Sequence, residues 1–151
     1  MIPPDVASFL ASGPSILVGT CSAAGVPSCG YGLGVRADGG RLWVFLPVAF
    51  SAGLVADHRA TGEIATTFSR PRDHQTVQLK GRVLAIRDGD EADRAAVERH
   101  RLRWIDELER IRTPRHHLGR VVHWPCHAVE MEVRELYSQT PGPGAGSPWV
   151  S

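Results

Sequence analysis

Four groups of residues have the types and spacing to do chemistry. Glycine recurs at Gly30, Gly32 and Gly34, every second position of one extended run, so one face of that run carries no side chain. A bare face admits a flat ligand against the backbone, or lets a strand bend at a barrel corner. These glycines lie inside a strand and open no helix, so they do not make the phosphate cradle of a dinucleotide fingerprint. Arg70-Pro71-Arg72-Asp73-His74 places three potential cations in one short loop. They could hold a phosphate or a substrate carboxylate, or form a solvated turn. Arg99, Arg101 and Arg103 read as a solvated helix face, with anion binding as the alternative. His123-Trp124-Pro125-Cys126-His127 is the densest cluster of metal-type ligands. A zinc site there would need His58, His74, His116 or His117 from elsewhere, and surface or hydrogen-bonded histidine is the simpler reading. No metal is expected. No Ser/His/Asp order and no paired carboxylates stand out, so no catalytic residue is assigned.

The bulk properties narrow the classes. The chain has 151 residues and a net charge of +1, enough for one domain with a real core. That charge gives no bulk attraction to nucleic acid or to an anionic membrane surface. No apolar run approaches the roughly 18 to 20 residues that span a bilayer. The N-terminus, Met1-Ile2-Pro3-Pro4-Asp5, lacks the basic and apolar regions of a signal peptide. Three cysteines, Cys21, Cys29 and Cys126, make no disulfide framework. Free thiols and a cytoplasmic location are expected, with a Cys21–Cys29 pairing across the first hairpin as the alternative.

The elements that must position these groups follow from patterning. Pro4–Ala11 is a short helix broken by Ser12-Gly13-Pro14. Strand-like runs follow at Ile16–Cys21, Ser28–Val35, Arg41–Pro47, Ile64–Ser69 and Thr76–Ile86. A helix over Phe50–Arg59 interrupts them, with Ser51 placed to cap it. Hairpin-linked strands with one helical interruption predict a mainly β (α+β) fold, a small closed barrel with a rim groove. Glu91–Arg112 reads as a long helix with an apolar stripe of Val97, Trp104, Leu108 and Ile111. Its first turn carries Asp90, Glu91 and Asp93, favourable to the helix dipole. His127–Leu136 is a final strand. One domain is expected over residues 1–137, and a Gly/Pro-rich tail over 138–151 that forms neither helix nor ladder strand.

The order of these segments resembles the pyridoxamine 5'-phosphate oxidase-like family of FMN-binding split barrels. The carrying residues are Leu17-Val18-Gly19-Thr20, Gly25-Val26-Pro27 and Leu42-Trp43-Val44-Phe45-Leu46-Pro47. The helix near Ser51, the strand Ile64-Ala65-Thr66-Thr67-Phe68 and the strand Val77–Val83 with Gly81 complete the match. The resemblance implies antiparallel, Greek-key-like strands with flanking helices and a homodimer that binds FMN at the subunit interface. It also implies flavin-dependent oxidoreductase chemistry on a small-molecule substrate. By position it carries cofactor contacts onto Arg36, onto Leu46, Pro47 and Val48, onto Ser51, Ala52 and Gly53 beside the phosphate, and onto Thr76 and Gln78 beside the ring. The departure is at Ala52-Gly53, where the family often has Arg-Lys, and a desolvated phosphate needs cations or helix-terminal amides. The alternatives implied are a deazaflavin or haem in place of FMN, or a non-catalytic binding barrel.

Overall fold

The computed structural model describes residues 1–149, so Val150 and Ser151 of the expected tail lie outside the described residues. Seven strands form one antiparallel sheet. They are β1 (Ser15–Cys21), β2 (Pro27–Gly32), β3 (Gly34–Asp38), β4 (Arg41–Pro47), β5 (Glu63–Ser69), β6 (Thr76–Asp88) and β7 (Cys126–Ser138). Their order is β2-β1-β5-β6-β7-β4-β3. The two edge strands are consecutive in the chain and joined by Leu33 alone, whose amide donates to the Phe45 carbonyl at 2.7 Å. The sheet therefore curls until its edges meet through the backbone, which makes a split barrel.

The run expected as one strand over Ser28–Val35 is two. Up to Gly32 it pairs with β1; from Gly34 it pairs with β4. Leu33 is buried at the switch, and glycine on either side permits the close packing there. A Cβ on Gly32 would lie 2.6 Å from Ile16 Cγ2, and one on Gly34 would lie 3.3 Å from Val97 Cα. A Cβ on Gly30 would lie 2.7 Å from Leu54 Cδ1. The bare face is thus filled by protein, and the glycines serve barrel curvature and close packing.

Four helices flank the sheet: α1 (Pro4–Leu10), α2 (Ala52–Thr61), α3 (Glu91–Arg110) and α4 (Arg115–Leu118). The start of α3 is fixed by a capping box in which Asp90 and Asp93 each accept the other's amide. Its buried line is not the expected stripe. Val97, His100 and Ile105 are buried, Trp104 and Leu108 are half-buried, and Ile111 is exposed. The helix rests on the glycine-thin β3, so close approach at Gly34, rather than side-chain size, sets which face turns inward.

Val18, Leu42, Val44, Leu46, Phe68, Val77, Leu79, Val129 and Met131 fill the barrel interior. Phe45 points the other way and packs with Ala96, Val97, Cys126 and Ala128 beneath α3. Strand β4 is covered on both faces, which explains its unbroken apolar run. The ladder between β6 and β7 shifts register at Lys80/Gly81 and Val83/Ala85, bending two long strands around the barrel. The tail turns back on β7: Gly146 donates to Ser138, Trp149 donates to Leu136, and Pro148 bridges Tyr137. It adds a local cover to the sheet, although its prolines and glycines keep it from forming a ladder. Among the described residues no helix is long and apolar enough to cross a membrane.

Candidate functional site

A cavity of about 580 Å³ opens on the outer face of the barrel, between the β1–β2 ladder, α3 and the segment before β7. Leu17 and Tyr31 are register partners on that outer face. The tight turn Val48–Phe50 after β4 brings Phe50 beside Tyr31, ring centroids 6.3 Å apart. Trp104 closes the α3 side and donates its indole Nε1 proton to Ser15 Oγ at 3.0 Å. Its size falls in the usual range for small-molecule sites, and its walls are mainly apolar and aromatic.

The polar groups on the wall are few. Arg101 pairs with Glu98 at 3.2 Å, and His123 Nε2 lies 4.0 Å from the same carboxylate. Arg120 has no carboxylate partner among the described residues. His100 Nε2 lies 2.9 Å from the Pro14 carbonyl. Burial, reinforced by the Arg103 charge, pushes the pKa of His100 down to about 4 against the pull of that carbonyl. The ring is neutral near pH 7, and because a carbonyl only accepts, Nε2 carries the proton.

The residues expected at a cofactor site are dispersed. Gln78 lies on the outer row that runs Tyr31, Leu17, Thr67, Gln78 through successive register pairs. Its Nε2 donates to Thr67 Oγ1 at 2.9 Å. Thr76 is buried at the strand end and bonds Ser69 and the His74 carbonyl. Val48, Ala52 and Gly53 are exposed beside Phe50, at the entry to α2. Ser51 is fully buried, and its Oγ has no hydrogen-bond partner among the described residues, so it does not make the expected side-chain cap of α2. Leu46 belongs to the barrel core, and Pro47 pairs with Cys126. Arg36 does not line the aromatic cavity. Its guanidinium stacks over Trp43 at 4.4 Å and faces a second, smaller cavity with Arg99 and Arg103.

The other groups with chemical potential resolve as follows. In the 70–74 loop, Arg70 binds Asp73 and Gln75, and Arg72 reaches Glu107 of α3 at 3.2 Å. Both arginines are paired with acids, and Arg72 ties the loop to α3. No cluster of three metal-type ligands occurs among the described residues. Cys21 faces Pro27 and Cys29 faces Gly19 across the hairpin, and all three cysteines are free. Sequence reasoning missed Tyr31, Phe50, Arg120 and His123 as neighbours. The local signal was two aromatic residues, Tyr31 and Phe50, near segment ends, which no spacing rule connects.

No model of a known protein family and no curated protein matches the sequence. Solved structures do match the fold. HupZ of Group A Streptococcus superposes with a TM-score of 0.61 at 18% identity, covering 97% of this chain and 100% of its own. A Clostridium acetobutylicum protein related to general stress protein 26, of the pyridoxinephosphate oxidase family, gives 0.53 at 17% identity, covering 89% and 84%. HutZ of Vibrio cholerae, described as a haem storage protein, gives 0.54 at 11% identity, covering 91% and 94%. An FMN-binding protein of Syntrophomonas wolfei and an F420 reductase share the fold at 9% and 13% identity. The chain has the pyridoxamine 5'-phosphate oxidase-like split-barrel fold.

Proposed function

We propose that this chain binds a planar redox cofactor, with FMN as the first candidate, and acts as a homodimeric flavin-dependent oxidoreductase on a small molecule. The observation that carries this reading is the aromatic-walled cavity of about 580 Å³ on the outer face of the barrel. The relatives in this fold include an FMN-binding protein and an F420 reductase, so a deazaflavin is the nearest variant. Leu17, Tyr31, Phe50 and Trp104 suit the faces of a tricyclic ring. Gln78 offers a polar contact along the same outer face. The phosphate is the demanding part. Ala52-Gly53 supplies no cation, leaving the first amides of α2 and Arg120 as the partners available to it. When bound, the flavin supplies the electron and hydride chemistry. The chain's residues shield the ring from water and fix its orientation. The free cysteines fit a cytoplasmic location.

A second reading rests on His123. It places an imidazole on the cavity wall with Glu98 nearby, the kind of group that ligates haem iron, and Arg101 and Arg120 could meet propionates. A non-catalytic binding barrel would retain the cavity without turnover.

The test is the visible spectrum of the purified protein, followed by titration with FMN, riboflavin, a deazaflavin and haem. FMN is expected to bind, and Phe50→Ser, an exposed change, should weaken it at least tenfold. Haem binding lost in His123→Ala, with no flavin bound, would establish the second reading. FMN affinity equal in wild type and Phe50→Ser would remove the ring from this cavity.

A further inference from the structure

We propose that the smaller cavity between α1, β3 and α3 is a binding site for a phosphoryl-type oxyanion, separate from the aromatic cavity and independent of any cofactor there. It encloses about 180 Å³, and three arginines line it: Arg36, Arg99 and Arg103. No acidic side chain among the described residues lines it. Among the described residues none of the three guanidiniums has a carboxylate within ion-pair distance. Nine other arginines of this chain do form such pairs. Seven arginines have no such partner among the described residues, and three of the seven gather around this one hollow, where no carboxylate offsets their charge.

The sequence sets up the convergence. Arg99 and Arg103 are four residues apart on α3 and therefore share a face. Arg101, between them, turns to the aromatic cavity and to Glu98. Arg36 reaches the hollow from β3, on the opposite wall. Two of the three are already held in place: Arg36 stacks on Trp43, and Arg103 donates to the Ala11 carbonyl. Such fixing lowers the ordering cost of binding. Ala7, Ala37 and Ala96 complete the wall, and their small side chains leave the space open.

Three like charges around one small space repel each other, and a multivalent anion relieves that repulsion. Guanidinium forks match phosphate oxygens with paired hydrogen bonds. The volume is below the usual 300–1,000 Å³ of sites for drug-sized ligands, which favours inorganic phosphate or the phosphoryl end of a small molecule. His100 lines this cavity and the aromatic one, so one side chain of α3 separates the two.

The experiment measures phosphate binding by calorimetry and by thermal unfolding at constant ionic strength, with sodium chloride as the balancing salt. Arg99→Gln/Arg103→Gln is compared with Arg59→Gln/Arg134→Gln, which removes the same charge elsewhere. All four positions are exposed, and circular dichroism checks the fold. Should the cavity double variant fail to fold, Arg99→Gln alone is compared with Arg59→Gln alone. Phosphate should raise the Tm of wild type and of the control, and its Kd should weaken at least tenfold in the cavity variant. Tighter binding of phenyl phosphate than of phosphate would assign the site to a phosphomonoester, and the reverse order to the free ion. Equal responses in the two double variants would overturn the proposal. So would a missing response in wild type, or a chloride effect as large as that of phosphate.

Discussion

His58 and His100 are the two imidazoles that folding strips of water. They are 2% and 7% exposed, and burial pushes each pKa down to about 4. Around His58, the Glu63 backbone and the Asp57 carboxylate oppose that shift without reversing it. Neither ring nitrogen of His58 has a hydrogen-bond partner among the described residues. Both histidines are neutral when folded, whereas an unfolded histidine takes up a proton near pH 6.5. The unfolded chain therefore binds more protons as pH falls from about 6.5 towards 4, and stability falls with it. Each histidine should cost about 2 kcal/mol between pH 7 and pH 4.5 on this basis. Urea midpoints measured across that range should decline in wild type. The decline should be about 2 kcal/mol smaller in His58→Leu, which keeps the bulk and removes the titration. An unchanged acid slope in a folded variant would show that His58 is not buried in its neutral form.

At the scale of elements, glycine positions divide into those the backbone requires and those it does not. A Cβ on Gly81 would sit 1.9 Å from the Glu132 carbonyl oxygen, at the register shift between β6 and β7. Gly81→Ala must push the two longest strands apart, and a loss of about 3 kcal/mol or more is expected. Gly53, in α2, meets nothing within 4 Å of an added Cβ. Gly53→Ala should be neutral or stabilise by up to about 1 kcal/mol. Chemical denaturation of the two variants checks both, and comparable effects would contradict the packing described here. The same helix start offers a test of the cofactor reading. Ala52→Arg with Gly53→Lys adds two cations where the phosphate is proposed to lie. It should tighten FMN several-fold and leave riboflavin, which lacks the phosphate, unchanged. Equal changes for the two ligands, followed by flavin fluorescence, would place the phosphate elsewhere. Much of this layer was legible in the sequence. Hairpin turns, β-branched runs and the acidic first turn of α3 are local signals, and each marks its element. The capping box between Asp90 and Asp93 emerged only with the structure. The break at Leu33 was not legible, because it comes from a change of pairing partner by a strand that stays extended. The α3 stripe misled for a related reason: close approach at Gly34 chose the buried face, while Ile111 fell beyond the helix end. The aromatic cavity was hidden because its walls come from five separated segments, at 14–17, 31–33, 50, 100–104 and 120–123, that no local pattern connects.

At the scale of the whole molecule, the outer face of the barrel carries exposed apolar side chains at the cavity mouth. Leu17 is 54% exposed and Phe50 62%, and both stand at the aromatic cavity. Val26, 60% exposed, projects from the nearby hairpin. Apolar side chains grouped around a cavity mouth are what a protein interface covers. A stable interface buries about 1,200–2,000 Å² in total, which needs more than these three residues. The polar outer row through Thr67 and Gln78 is the adjoining surface it would take in. On the homodimer reading, two copies meet across this face and the cofactor lies where they meet. Mass action then links the two events: a ligand held by both subunits binds the dimer better than the monomer, so it must tighten association. Sedimentation at micromolar concentration should give a dimer, and Leu17→Asp with Phe50→Asp should shift it towards monomer by placing charge in a desolvated contact. Adding FMN should move the wild-type equilibrium back towards dimer at concentrations where the apoprotein dissociates. A monomer in every condition would remove the dimer. A dimer whose dissociation constant ignores FMN would separate the two halves of the reading, leaving the cofactor, if bound, within a single subunit.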